Sequence, residues 1–223
     1  MVILMKYKLV GIFTLIAFMC LFNFVYAKDK AFPLIGKVIY LDPGHGGPDS
    51  GAYYKDIEEA SLNLEISQKI MGVLKEEGAV VYLTRYGDYD LAVNNAWNGK
   101  RSDLSRRANI INNSNCDLYL SIHLNANEST SQSGAEAYYD TINPENKKIA
   151  EIFQEAFKRE LGSTRDYKEN STKYLQRRIT RPGVLLEVGF LSNSSERYLL
   201  NTDTYQYKIA QTVAGAVNKY FSS

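Results

Sequence analysis

Apolar residues recur along this chain with two different periods, and the two alternate. Residues 38–41 (Val-Ile-Tyr-Leu) form a short run ended by Asp42-Pro43-Gly44, the pattern of a buried strand entering a loop. From Leu62 the apolar positions Ile66, Ile70, Val73 and Leu74 follow a helical period, and Gly78 is a stop signal. Residues 79–84 predict a second strand, and the polar, tyrosine- and asparagine-rich stretch 87–101 predicts an excursion over the surface. Asp103 opens a helix with Leu104, Ala108 and Ile111 on one face, and residues 118–122 and 135–139 predict two more strands. Asn143-Pro144 has the character of a helix start, with Asn as cap and Pro in the first turn. That helix continues through Ile149, Ile152, Phe153, Ala156 and Phe157 to Gly162. A polar, arginine-rich segment, 163–181, predicts a long loop near the site, followed by a strand over 184–188. The last helix starts at Thr202 or Asp203 and buries Ile209, Val213, Ala216 and Val217. Strands alternating with helices imply a single α/β domain: a mixed, largely parallel sheet flanked by helices on both faces.

The N-terminus does not fit this alternation. Lys6 and Lys8 precede an apolar run from Leu9 to Val25, and Val25-Tyr26-Ala27 has the small-x-small pattern of a signal-peptidase site. Residues 1–27 therefore read as a signal peptide, with an uncleaved N-terminal anchor as the alternative, because the run is nearly long enough to span a bilayer. Either way residues 28–223 form the working domain, exported across the cytoplasmic membrane, and the membrane is touched only through an uncleaved leader. Without residues 1–27 the domain holds twenty-four basic and twenty-five acidic residues, so no basic surplus points to nucleic acid. Cys116 is then the domain's one cysteine, which excludes an internal disulfide and leaves a buried thiol as the expectation.

The candidate chemistry starts from scarcity. His45 and His123 are the only histidines in the chain, and each follows a predicted strand directly. Catalytic groups in open α/β sheets collect at the carboxyl ends of strands, so the pair points to a shared site. Two imidazoles leave a divalent metal short of ligands, and a carboxylate must join them, with the fourth position left for water. Glu58 and Glu59, ahead of the helix at Leu62, are both candidates, and the residue pattern does not choose between them. Glu187 stands inside an otherwise apolar strand, where an ionised carboxylate must be paired, solvated in a cleft or protonated. A buried salt bridge to Arg177, Arg178 or Arg181 is the bland explanation. Two histidines and an acid also describe Fe(II) oxygenases, but those place the first histidine and the acid close together on one strand. Here the first histidine and the acid lie about fourteen residues apart.

The blocks Leu41-Asp42-Pro43-Gly44-His45-Gly46-Gly47, Glu59 with Asn63-Leu64-Glu65-Ile66, Leu83-Thr84-Arg85, Leu104 to Asn109, Ser121-Ile122-His123-Leu124-Asn125-Ala126 and Pro182 to Asn193 occur in order over residues 38–221. In them the chain resembles the zinc-dependent N-acetylmuramoyl-L-alanine amidases of the type 3 family. The resemblance implies one Zn2+ held by His45, Glu59 and His123, with Glu187 as the catalytic acid and base. It implies peptidoglycan as substrate, and makes Asn125 and Arg178 expected substrate contacts. Where the family often has Lys after the ligand glutamate, this chain has Ala60, and segment 163–181 is unusually rich in arginine. A thiolate-free site beside Ala60, in a chain without wall-binding repeats, raises the expectation of a substrate or protein partner that completes the site. The short form is similar to spore-cortex amidases, which strip peptide from muramic acid before δ-lactam closure. A wall-binding or regulatory module with a degenerate metal site is the alternative from another class.

Overall fold

The structure is a computed structural model and describes residues 12–19 and 32–223. Residues 12–19, within the apolar N-terminal run, are helical, whereas the expected cleavage segment at Val25-Tyr26-Ala27 lies outside the described residues. Among the described residues no helix is long and apolar enough to cross a membrane. Residues 34–223 form one compact unit.

Its centre is a six-stranded sheet. In chain order the strands are β1 (Val38–Pro43), β4 (Val80–Leu83), β5 (Leu118–Asn125), β6 (Glu136–Tyr139), β7 (Lys168–Glu169) and β8 (Gly183–Phe190), arranged β4-β1-β5-β8-β6-β7. Only the β6/β8 pair is antiparallel. The sheet is thus mixed and largely parallel, as the alternation of periods implied. A separate two-residue hairpin, β2 (Tyr53–Tyr54) with β3 (Ile57–Glu58), turns through Lys55 and Asp56, both at positive φ. The helices are α1 (Glu59–Glu76), α2 (Gly99–Asn113), α3 (Asn146–Leu161), α4 (Ser194–Leu200) and α5 (Asp203–Phe221).

Pleating sends alternate side chains to opposite faces. Ile39 and Leu41 of β1, Leu118 to Leu124 (even positions) of β5, and Val184, Leu186 and Val188 of β8 join the buried faces of α1, α3 and α5 in the main core. On the other face, a smaller cluster places Ala108 and Ile111 of α2 against Tyr119, Leu175 and Ile179. This second cluster covers only the lower part of that face, leaving its C-terminal strand ends open.

Strands β5 and β8 run past the expected 118–122 and 184–188, and the starts of three helices differ from the sequence expectation, each for a local reason. Helix α1 starts at Glu59 rather than near Leu62, because the Glu59 and Ala60 N–H groups donate to the Ala52 and Ser50 carbonyls (2.9 and 3.0 Å). Those loop carbonyls satisfy first-turn donors that would otherwise stay orphaned. Helix α2 starts at Gly99, four residues early, because the Asn98 side chain accepts the Arg101 N–H at 2.9 Å. Helix α3 starts later than Asn143-Pro144. Asn143 caps a preceding turn by accepting the Glu145 N–H, and regular helix begins at Asn146. Within 163–181 the chain is not wholly loop: it adds β7 at the sheet edge and a 3-10 turn over Gln176–Arg178.

Candidate metal centre and active site

The site opens at the carboxyl ends of β1, β5 and β8, where β1 runs into the loop carrying His45. His45 has φ 62°, a left-handed conformation that strains a residue with a Cβ. Two buried arginines hold the loop in that shape. Arg107 Nη1 donates to the Pro43 carbonyl (2.7 Å) and to Asp42 Oδ1 (2.9 Å), and Nη2 donates to the His45 carbonyl (2.7 Å). Arg85 Nε donates to the Pro43 carbonyl (3.0 Å), and its Nη2 to the carbonyls of Gly44 (2.9 Å) and Ala60 (2.7 Å). Gly44 allows a close approach: a Cβ there would sit 2.2 Å from the His123 ring.

On this scaffold His45, Glu59 and His123 come together. His45 Nε2 lies 3.2 Å and His123 Nδ1 3.1 Å from the same oxygen, Glu59 Oε1. The two rings meet edge to face with centroids 4.9 Å apart. Ligand atoms of a tetrahedral site with bonds near 2.0–2.1 Å stand about 3.3 Å apart; the two nitrogen–oxygen distances match that, and all three ligand atoms lie within 4.8 Å of one another, so the set could hold a metal ion. Among the described residues it is the one cluster of three His, Cys, Asp or Glu side chains with metal-binding spacing. Glu59 rather than Glu58 joins it, because Glu58 ends the hairpin while Glu59 is the first helical residue of α1. Its carboxylate is positioned by the N–H groups of Ala52 (2.9 Å, to Oε2) and Leu124 (3.2 Å, to Oε1), and by Asn63 Nδ2 (3.2 Å) one turn along. The Leu124 donor becomes available where the β5/β8 register shifts between His123 and Asn125.

Burial opposes ionisation of Glu59, but hydrogen bonds and charge from His123 and His45 outweigh it and hold the carboxyl far below its usual range. Burial likewise opposes a proton on His45, and Glu59 and Asp49 outweigh that. Asp49 Oδ2 lies 3.1 Å from His45 Nδ1 and equally 3.1 Å from Lys100 Nζ. A carboxylate behind a histidine ligand is the usual means of orienting the ring.

Glu187 pairs in register with His123 across β5 and β8, on the same sheet face. It is 6% exposed, its Oε2 has no hydrogen-bond partner, and among the described residues it makes no ion pair. The three arginines offered as salt-bridge partners are engaged elsewhere or exposed. Arg178 stacks over the Tyr174 ring at 4.4 Å, Arg181 donates to the Asn112 carbonyl, and Arg177 is exposed. Burial raises the Glu187 carboxyl above the ordinary range, with Glu59 adding to the rise against the opposing charge of His123. A cavity of about 520 Å³ joins these groups, walled by Lys100, Asp103 and Leu104 of α2 on one side and Thr172–Gln176 on the other. Asn125 lines it, whereas Arg178 stands outside, behind Tyr174. Cys116 is buried and free, and burial pushes its thiol up, as expected of an inert core cysteine.

Sequence reasoning attached no role to Arg85, Arg107 or Asp49. An arginine at the end of an apolar strand, and another beside Ala108 on the apolar stripe of a helix, were the signals available.

Comparison with known proteins identifies the family. The profile of the N-acetylmuramoyl-L-alanine amidase family (Amidase_3) matches residues 39–219. The germination-specific N-acetylmuramoyl-L-alanine amidase of Bacillus subtilis is 43% identical over 199 residues, covering 87% of this chain and 84% of that protein. Among solved structures, the CwlD amidase of Clostridioides difficile, in complex with the GerS lipoprotein, is similar with a TM-score of 0.79 and 37% identity. That match covers 84% of this chain and 99% of CwlD. The catalytic domain of CwlV from Bacillus (Paenibacillus) polymyxa var. colistinus follows at 0.73 and 30%, over 83% and 98%. The oxygenase alternative falls with these matches. The chain belongs to the N-acetylmuramoyl-L-alanine amidase family.

Proposed function

We propose that this amidase is zinc-dependent, and that it cuts the amide between the lactyl group of N-acetylmuramic acid and L-alanine during spore-cortex maturation. The observation that carries the zinc assignment is the convergence of His45 Nε2 and His123 Nδ1 on Glu59 Oε1, beside an unpaired buried Glu187. His45, Glu59 and His123 would hold the metal, and a bound zinc would supply Lewis-acid activation of the carbonyl or of the attacking water. Glu187 takes the proton from that water and returns it to the leaving alanine nitrogen. Its raised carboxyl suits both steps, since a base that binds protons more readily also becomes the better-supplied acid. Asn125 faces the bound amide from the cavity wall, and Arg178 acts on substrate only through the position of Tyr174.

The cortex assignment is supported by the germination-specific relative. It makes the chain a supplier of peptide-free muramic acid for δ-lactam closure, acting outside the cytoplasmic membrane after export by residues 1–27, cleaved or retained as an anchor. CwlD was solved with a lipoprotein, which supports a protein partner for this chain as well. The test digests purified peptidoglycan and reads the products by mass spectrometry. Free stem peptides with an L-alanine amino terminus are expected; they should vanish with EDTA and return with zinc. Turnover that survives exhaustive chelation sinks the zinc assignment, and glycan cleavage in place of peptide release sinks the lactyl-amide assignment.

A further inference from the structure

Trp97 is the only tryptophan in the chain, and its side chain is fully exposed. It belongs to a run, residues 86–98, that also exposes Tyr86, Tyr89 and Val93. This run is not slack. The Gly47 N–H donates to Asp88 Oδ1 (2.8 Å), the Leu91 N–H to Asp103 Oδ1 (2.8 Å) and the Val93 N–H to Ser102 Oγ (3.0 Å), before Asn98 caps α2. The tyrosine hydroxyls are held as well: Tyr86 accepts the Leu83 N–H and Tyr89 accepts the Tyr86 N–H. The backbone is strapped to the lip of the metal loop while the rings remain in water. A fixed ledge of exposed aromatic surface is a mark of a binding surface, and tyrosine and tryptophan gather where a ligand covers them.

The ledge continues the cavity wall. Trp97 precedes the cavity residue Lys100 by three positions, so their Cα atoms are at most about 11 Å apart. Gly46, next to His45, lies so close to the Tyr89 carbonyl that a Cβ would come within 2.6 Å. A cavity of about 520 Å³ is sized for one small ligand, whereas peptidoglycan is a polymer that must leave it in two directions, as sugar chain and as peptide. The two walls differ in a way that sorts these ends. The Thr172–Gln176 wall carries Lys173, a cation with no ion pair among the described residues, which suits the acidic stem peptide. The ledge carries Asp88 and Asp90 among its aromatics, which disfavours that peptide but not an uncharged sugar. Sugar rings offer flat faces of polarised C–H bonds, which stack on the electron-rich face of an aromatic ring.

We propose that the ledge formed by residues 86–98, with Trp97 foremost, is a subsite for the glycan strand of peptidoglycan beside the cavity. This rests on the amidase reading of the cavity given above.

The single tryptophan makes the test direct. Tetra-N-acetylchitotetraose, a glycan without a lactyl amide, is titrated into the zinc-loaded protein while Trp97 emission is read, and a saturable change is expected. In parallel, kcat/KM is measured on polymeric peptidoglycan and on a muramoyl dipeptide. Trp97→Ala should lower the polymer-to-dipeptide ratio about three- to tenfold, and Trp97→Phe should restore most of it. An unchanged ratio overturns the proposal, as does an equal fall on both substrates. Emission that ignores the sugar but responds to vesicles of anionic phospholipid, or to a protein partner, overturns it too, by giving the ledge another occupant. Failure of the wild-type chain to release peptide from the wall would instead strike the amidase reading, and the sugar titration would still judge the ledge.

Discussion

Toward α1, α3 and α5, β5 presents Leu118, Leu120, Ile122 and Leu124, and β8 presents Val184, Leu186 and Val188, all within one apolar core. On the opposite face the same two strands present Ser121, His123, Asn125 and Glu187. The first face is stabilised by removing apolar surface from water, about 25 cal/mol per Å². The second buries Asp42, Asp103, Arg107, Glu59 and Glu187, groups that cost free energy unless each is paired. All but Glu187 have partners. The difference teaches where to look for chemistry on a sheet: at the buried ionisable group for which the fold provides no partner at all.

The sharpest way to break this comparison is to change the two glutamates, which should fail differently. Glu59→Ala removes a ligand of the proposed zinc site, so zinc content and activity should disappear together. Glu187→Gln keeps the shape but cannot accept a proton, and the turnover loss should be about 10²–10⁴-fold with zinc content nearly unchanged. Burial disfavours the charged Glu187, so the amide should leave the melting temperature level or raise it. A stable, zinc-loaded, fully active Glu187→Gln protein would end the proton-transfer role.

Next in size is the arginine scaffold. Arg107 bridges Asp42, Asp103 and the carbonyls of Pro43 and His45, and removing one member of a buried ion pair costs about 3–5 kcal/mol. Arg107→Met should therefore lower stability by that amount and weaken zinc binding in the folded fraction, because His45 loses its backbone support. Equilibrium unfolding and zinc titration on one preparation check both. Asp42 gives the same network a pH signature. Burial opposes its ionisation, but Arg107 and the Thr84 hydroxyl outweigh that and lower its pKa. A lowered folded-state pKa contributes stability that is complete above the unfolded value, about 3.9, and is lost as pH falls toward the folded value. The wild type should weaken across that acid window. Asp42→Asn should already be weaker at neutral pH and lose less within the window.

Leu186→Ala tests the other face from the neighbouring position to Glu187. Leu186 is fully buried in the main core, and its truncation should cost about 2–5 kcal/mol. Its zinc affinity and turnover per folded molecule should stay near wild type when assayed well below the melting temperature. A selective loss of zinc would mean that the two faces are coupled through the strand rather than independent.

How far the sequence revealed this arrangement differs between the faces. Alternation along β5 and β8 and helical periods in α1, α3 and α5 are local patterns, so the apolar face could be read directly. His45 and His123 could be read from their rarity and their places at strand ends, although β5 runs on through His123 to Asn125. Glu59 needed the family resemblance, because its choice over Glu58 depends on the Ala52 and Ser50 carbonyls that pull the start of α1 back. The roles of Arg85 and Arg107 were hidden for a related reason. The partners that shape the His45 loop are the carbonyls of Pro43, Gly44 and His45, 41–64 residues away, a pairing made by tertiary closure and absent from any local period.

The smallest expected effect lies at the start of α2, and it sharpens the comparison within the site face itself. Helix α1 brings Glu59 to His45 and His123 without a side-chain cap, since loop carbonyls take its first N–H groups, so no single side chain controls its start. Helix α2 brings Lys100 and Asp103 to the cavity and depends on one side chain, Asn98, which accepts the Arg101 N–H. Loss of such a cap costs about 1 kcal/mol, which in a chain of this size lowers the melting temperature by about 2–4 °C. Asn98→Ala should show that small shift, with zinc content unchanged because His45, Glu59 and His123 are carried by other elements. Fraying of the first turn should still loosen Lys100 from Asp49, so KM should rise more than kcat falls. Asn98→Ser supplies a capping oxygen and should restore both. An Asn98→Ala protein that lost zinc along with its cap would show that α2 supports the metal ligands directly, and the division of labour between the two helices would fail.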